Sequence, residues 1–339
     1  MDYRTALKQI ANGNVCPVYL CYGTETFLRQ EFVSRLVAGC VDPSQADFAV
    51  IKYDLAETPV QAVLEDAETL PFLVPHKVIL AHNALFFTGA KEGEKAGHSL
   101  ERLQAYLASP VDYSIVVFTV DADKLDERKK IVKLLKERKC AIAFPPLEAN
   151  EIVHWVERQA EKRNLKLREG AADRLILNTG ANLWRMAGEL DKLSLYAGPS
   201  GTVTSDQVDR LVARSTEQNV FLLIEEAVRM RLERAFSILY DLIRQKEEPI
   251  KIVMLLARQF RIMLQAKELA RQGFSPQQIA SNVGVHPYAV KVALEQGKRY
   301  DSRRLADMLS QLAELDYRMK SGAIDKLLGL EMFLLKLAQ

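Results

Sequence analysis

Five apolar, β-branched runs separated by helix-like segments limit what the first part of this chain can fold into. They are PVYLCYG (17–23), FAVIKYDL (48–55), HKVILAHN (76–83), YSIVVFTVD (113–121) and CAIAFPPL (140–147). Strands that are apolar on both faces must be covered on both faces, and helices between them make parallel connections. Residues 1–147 therefore predict an α/β domain with a parallel sheet. One stretch between the runs, FTGAKEGEKAGHS (87–99), is polar and glycine-rich and reads as a long, mobile surface loop.

The character changes after residue 147. Residues 148–213 read as a small helical domain, with Asn150 as a candidate N-cap, helices ending near Gly198 and another after PSGTVTS. Residues 214–339 are helical almost throughout, with apolar side chains at three- and four-residue spacings and Pro249 and Gly273 as punctuation.

Composition narrows the function classes. Apolar residues make up 48% and charged residues 27%, an ordinary globular balance, and the net charge is only +2. Any contact with DNA must use local basic patches. Cys16, Cys21, Cys40 and Cys140 form no C-x-x-C pair, and Cys16 and Cys21 read as buried thiols. His76, His82, His98, His154 and His286 lack metal-ligand spacing. The N-terminal MDYRTALKQI does not read as a signal peptide, and no apolar run is long enough for a membrane span. A reduced cytoplasmic compartment is expected.

The junction VYLCYGTETFLRQE (18–31) raises the question of a phosphate loop. Such a loop reads G-x-x-x-x-G-K-[ST], with glycine for close approach, lysine for the phosphates and a hydroxyl for magnesium. Counting from Gly23, this chain has Leu28, Arg29 and Gln30 at those places, and Glu25 puts a carboxylate where an anion should sit. The strand 76–83 ends in Ala81 and His82 where an acidic pair is needed. Asp121 and Asp123 follow the strand 113–121 and read as turn and cap residues. No hydrolase, metalloprotease or kinase signature appears.

Three other stretches admit two readings each. In ETPVQAVLEDAETLPFLVPHKVIL (57–80), Thr58 suits an N-cap and Pro59 a first helical position. Pro71 stops the helix near Leu70. Six apolar residues, Leu70 to Pro75, then lie in a loop, either tucked into the core or exposed as a plug for a partner's pocket. In KLDERKKIVKLLKERK (124–139), eight basic residues face three acidic ones. Lys129, Lys133 and Lys136 share a helical face, which is either solvated or in contact with nucleic-acid phosphate. SPQQIASNVGVHPYAVKVAL (275–294) has the spacing of a helix-turn-helix, with Ala280, Gly284 and Val290 in place. Its second helix offers Lys291 as its one candidate for base edges, so a packing hairpin competes with a nucleic-acid-binding regulator.

In order and spacing these segments resemble the delta-subunit family of bacterial DNA polymerase III, over nearly the whole chain. The carrying stretches are VYLCYGTETFLRQE, TLPFLVPHKVIL, DADKLDERKKIVKLLKE, FPPLEANEIVHWVE, GANLWRMAGELDKLSLYAG and ARQFRIMLQAKELARQGFSPQQIASNVGVHPYAVKVAL. The resemblance implies an AAA+ domain without a functional nucleotide site, a small lid domain and a helical collar for oligomerisation. It implies a non-catalytic subunit of the polymerase holoenzyme, a DNA-directed DNA polymerase and nucleotidyltransferase, with no cofactor or metal of its own. The expected function is to bind and open the ring-shaped sliding clamp with apolar residues at a helix end, here Leu70, Pro71, Phe72 and Leu73. The implied partners are the sliding clamp (beta), the loader ATPase subunits (tau/gamma), delta-prime, and primer-template DNA within the assembled loader.

Overall fold

The computed structural model describes residues 3–72, 74–90, 97–198, 201–285 and 287–337. The chain divides into two compact units, residues 1–147 and 148–339.

The first unit is built on a five-stranded parallel sheet. Its strands are β1 (Val18–Tyr22), β2 (Val50–Asp54), β3 (Lys77–His82), β4 (Ser114–Val120) and β5 (Ala141–Ala143), in the order β2-β3-β4-β1-β5. All five predicted runs form strands, although the last is cut to three residues. Helices α1 (Tyr3–Ala11), α2 (Thr26–Cys40), α3 (Ala46–Ala49), α4 (Val60–Glu68), α5 (Leu100–Ala108) and α6 (Lys130–Glu137) accompany it. Every residue of β4 is buried, as expected of a central strand covered on both faces.

Helix α4 turns Val60, Val63, Leu64 and Ala67 into the core, where they meet Ile79, Val116 and Phe118. The Val60, Val63 and Leu64 side chains each contribute about 1.5–3 kcal/mol when fully buried. The N-terminus of α4 differs from the sequence expectation. Pro59, not Thr58, occupies the capping position, and no side chain of its own caps the helix. The Val60 N–H instead donates to His98 Nδ1 at 3.1 Å.

The expected surface loop at 87–99 also begins differently. Leu85–Phe87 form a short 3₁₀ turn in which Phe86 and Phe87 are fully buried against Phe118. Thr88 is buried as well, while residues 91–96 lie outside the described residues. Aromatic burial outweighs the polar character of the residues after it. Cys21 is buried and Cys16 half-buried.

The second unit begins with α7 (Ala149–Glu161), α8 (Ala171–Thr179), α9 (Leu183–Ala197) and α10 (Ser205–Leu211). Glu148, rather than Asn150, caps α7, and its N–H donates to Glu151 Oε2 at 3.1 Å. A two-stranded parallel ribbon, β6 (Lys166–Leu167) with β7 (Thr202–Val203), is added to these helices. Nothing in the residue pattern predicts this ribbon, because two-residue strands carry no periodicity.

Seven helices follow: α11 (Thr216–Val228), α12 (Leu232–Arg244), α13 (Pro249–Arg271), α14 (Pro276–Val283), α15 (Pro287–Gly297), α16 (Ser302–Lys320) and α17 (Lys326–Leu337). Their shared core includes Leu239, Leu256, Phe260, Leu312 and Phe333. The residues with helix-turn-helix spacing form a packing hairpin. Ile279, Ala280 and Val290 are buried with Ala266 of α13, and Gly284 takes the left-handed turn at φ 73°. Among the described residues, no helix is long and apolar enough to cross a membrane.

Candidate functional site

Two strand–helix junctions of the first unit carry the residues singled out in the sequence. At the first, the chain leaves β1 through Gly23 and enters α2. Gly23 has φ 132°, and a Cβ there would stand 2.1 Å from the Phe144 carbonyl oxygen. The segment after β5 therefore lies directly against this turn.

The polar groups placed to cradle a phosphate here are partnered within the chain. The Glu25 N–H donates to Phe144 O at 3.0 Å, and the Phe144 N–H donates to Tyr22 O at 2.7 Å. The Glu25 carboxylate caps α2 by accepting from the Phe27 N–H at 3.1 Å. Burial pushes the Glu25 carboxyl above its ordinary value, and this hydrogen bond opposes the rise. Arg29, the residue in the lysine position, donates to Gly23 O at 2.9 Å and Val120 O at 3.0 Å, and forms an ion pair with Asp121. Asp123 accepts from Thr24 Oγ1 at 3.2 Å. Asp121 and Asp123 thus reach back to the Gly23 turn rather than capping a following helix. His82 hydrogen-bonds through Nδ1 to Thr119 Oγ1 at 3.0 Å, and burial holds its pKa below the usual imidazole value.

The second junction lies at the C-terminal end of α4. A helix leaves its last four carbonyls without intrahelical partners. Here all four are satisfied. Glu65 O accepts from Thr69 N–H at 3.2 Å and Thr69 Oγ1 at 2.9 Å. Asp66 O accepts from Thr69 N–H at 3.0 Å and also from Lys77 Nζ. Ala67 O accepts from Ser114 Oγ at 2.7 Å, and Glu68 O from Tyr113 OH at 2.8 Å. Lys77 Nζ also bonds Asp66 Oδ1 at 2.9 Å, Tyr53 OH donates to Asp66 Oδ2 at 3.1 Å, and Arg102 pairs with Glu68.

Against this fully bonded base, the apolar residues beyond it point outward. Leu70 is 73% and Phe72 79% exposed, while Pro71 and Val74 are half-buried. Leu73 lies outside the described residues. Such exposure of large apolar groups costs hydration free energy.

The three lysines of the basic segment are placed unequally. Lys129 precedes α6 instead of lying on it; it is half-buried and its Nζ donates to Phe86 O at 2.8 Å. Lys133 is exposed on α6, and Lys136 is exposed and paired with Glu127. Ile131, Val132 and Leu135 form the buried side of this helix. Among the described residues, no cluster of three or more His, Cys, Asp or Glu side chains could hold a metal ion.

The residues that anchor the loop, Asp66, Lys77, Tyr113 and Ser114, were not singled out in the sequence. Lys77 offered one signal: a lysine at the start of a continuously apolar strand, buried to 4% exposure. Ser114 and Tyr113, on and just before β4, offered none, because their partners lie 47 and 45 residues away.

Comparisons with known proteins agree with this architecture. The family model described as DNA polymerase III, delta subunit matches residues 19–144, and the model for the C-terminal domain of the same subunit matches residues 217–337. DNA polymerase III subunit delta of Bacillus subtilis (strain 168) is 40% identical over 330 residues, covering 97% of this chain and 95% of that protein. The probable DNA polymerase III subunit delta of Aquifex aeolicus (strain VF5) is 21% identical over 305 residues, covering 88% and 85%. The solved structure of the Bacillus subtilis DNA clamp loader delta protein covers 99% of both chains at 40% identity, with a TM-score of 0.65. With a parallel sheet in its first unit, a helical block in its second and a relative at 40% identity over 97% of its length, the chain belongs to the DNA polymerase III delta subunit family and serves DNA replication.

Proposed function

We propose that this chain binds and opens the ring-shaped sliding clamp, and that Leu70, Pro71, Phe72 and Leu73 form the element that enters the clamp. The observation that supports this reading is the outward exposure of Leu70 and Phe72 on a helix end whose polar groups are all satisfied. An apolar plug entering a preformed pocket supplies binding energy. To open a ring, it must bind the opened or distorted clamp better than the closed one, because only differential affinity shifts a population.

The chain itself performs no catalysis in this reading, and it neither binds nor hydrolyses ATP. The phosphate-loop position is filled by Glu25, Phe144 O and the Arg29–Asp121 pair, which supports that view. ATP acts on the neighbouring loader subunits, the tau/gamma ATPases, and these control access to the plug. Residues 148–213 serve as the lid domain. Residues 214–339 serve as the collar that joins the other loader subunits, delta-prime included, in the cytoplasm. Primer-template DNA meets Lys133 and Lys136 of the basic helix within the assembled loader. Lys129 contributes less there, because its ammonium is committed to Phe86 O.

A capture experiment tests the central part. Wild-type chain should retain purified sliding clamp. The Leu70→Ala/Phe72→Ala variant should lose it while still entering the assembled loader. Retention of the clamp by the double variant at wild-type level would refute the plug.

A further inference from the structure

The apolar loop runs from Thr69 to His76, and the side chain of the residue just after it returns to its beginning. Lys77 is the first residue of β3, yet its ammonium bonds both the carboxylate and the backbone carbonyl of Asp66, inside the last turn of α4. The Lys77 side chain is 5% exposed and that of Asp66 22%. Burying a lysine is costly unless its charge is paired and hydrogen-bonded. Core packing alone would favour an apolar residue at the start of a strand whose first five residues, Lys77 to Ala81, are buried. A cation is also well placed against the partial negative charge of a helix C-terminus. Ser114 and Tyr113 bond the two remaining carbonyls, Ala67 O and Glu68 O. The Lys77 N–H bonds Tyr113 O at 3.2 Å, so the three anchors are themselves linked.

We infer that Lys77 is a positioning residue for the apolar loop: by bonding Asp66 from the loop's exit, it closes the base and holds Leu70 and Phe72 outward, with Tyr113 and Ser114 as its auxiliaries. The inference rests on the clamp-binding reading of that loop. A loop closed at its base loses less freedom when a partner docks, so more of the binding energy of its apolar residues appears as affinity. Without the latch, the helix end frays and only a fraction of molecules present the loop correctly. The apparent Kd then rises by the inverse of that fraction.

The test uses the full chain with purified sliding clamp, and compares Lys77→Met, Tyr113→Phe, Ser114→Ala and Phe72→Ala with wild type. Clamp Kd, thermal unfolding and amide hydrogen exchange of residues 65–72 are measured on each variant. Lys77→Met is expected to raise Kd about tenfold, if the presenting fraction falls to about one tenth. Exchange at the Thr69 amide should accelerate similarly, at a temperature where the protein stays folded. Tyr113→Phe and Ser114→Ala, which each remove one hydroxyl, should give smaller shifts in the same direction. Faster exchange with an unchanged Kd would overturn the positioning role, as would no change in either. If Lys77→Met does not fold, the two hydroxyl variants combined decide the matter, and an affinity within twofold of wild type overturns the inference. Loss of binding in Phe72→Ala together with wild-type binding in the latch variants would overturn the latch and leave the plug standing. Undiminished binding in Phe72→Ala would refute the plug itself and with it this inference.

Discussion

The junctions at Gly23 and at Thr69 are both strand–helix boundaries of one sheet, and both have their polar groups satisfied, with opposite consequences. At Gly23 the satisfaction comes from inside: a carboxylate, a carbonyl and a guanidinium of the same chain occupy the groups that would have met a phosphate. At Thr69 the helix end is bonded just as completely, but the side chains beyond it are apolar and stand in water. At the first junction the groups of the turn are engaged within the chain, which supports the proposal that it takes no nucleotide. At the second, a bonded polar base presents groups that water solvates poorly, which supports the proposal that a partner covers them.

The comparison can be broken most forcefully at Gly23. Gly23→Ala should destabilise the first unit by about 3 kcal/mol, since overpacking costs about 1–3 kcal/mol and an unfavourable backbone adds to it. The Cβ must clear Phe144 O from a separation of 2.1 Å. Denaturant unfolding measures this, and a change under about 0.5 kcal/mol, the range of an ordinary surface substitution, would mean that Phe144 does not lie on the turn. A smaller effect is expected on the basic helix. Lys133→Ala with Lys136→Ala should lower the salt slope of DNA binding by the assembled loader by about 1–2, near 0.9 for each phosphate no longer neutralised. Lys129→Ala should change that slope less, because its ammonium bonds Phe86 O. Equal slopes for both variants and wild type would leave the helix as a solvated face. The smallest expected effect is none. Leu28→Gly with Arg29→Lys and Gln30→Thr restores the missing loop residues but leaves Phe144 O on the Glu25 N–H. Calorimetry should detect no ATP binding; micromolar affinity would show that side chains alone had closed the site.

Much of this was legible in the sequence, for a simple reason. Burial on both faces of a parallel sheet forces continuous apolar runs, so the five strands could be read directly. The Leu28 and Gln30 departures carry the proposal that no nucleotide binds at the Gly23 turn. What escaped were contacts between residues far apart in the chain. His98 caps α4 from 38 residues away, where Thr58 was expected to do so. Phe144 closes the Gly23 turn from the far end of the domain. Lys129 was grouped with Lys133 and Lys136 by spacing alone, which could not show that it stands before the helix. The exposure of Phe72 was undecided on residue pattern, since an apolar loop can fold inward or outward. The direction follows from the Pro71 stop together with the capping of Ala67 and Glu68 by β4 and the residue before it, and those partners are not adjacent in sequence.

One measurement tests the central claim most directly: the clamp affinity and thermal stability of Phe72→Ala, determined on the same sample. Interface anchors of this size cost about 2 kcal/mol or more on truncation, so the clamp Kd should rise about thirtyfold at roughly 1.4 kcal/mol per decade. The melting temperature should stay close to wild type, because the side chain is 79% exposed. A core phenylalanine would instead lose about 3–5 kcal/mol of folding stability. A large fall in melting temperature with clamp affinity intact would contradict the account.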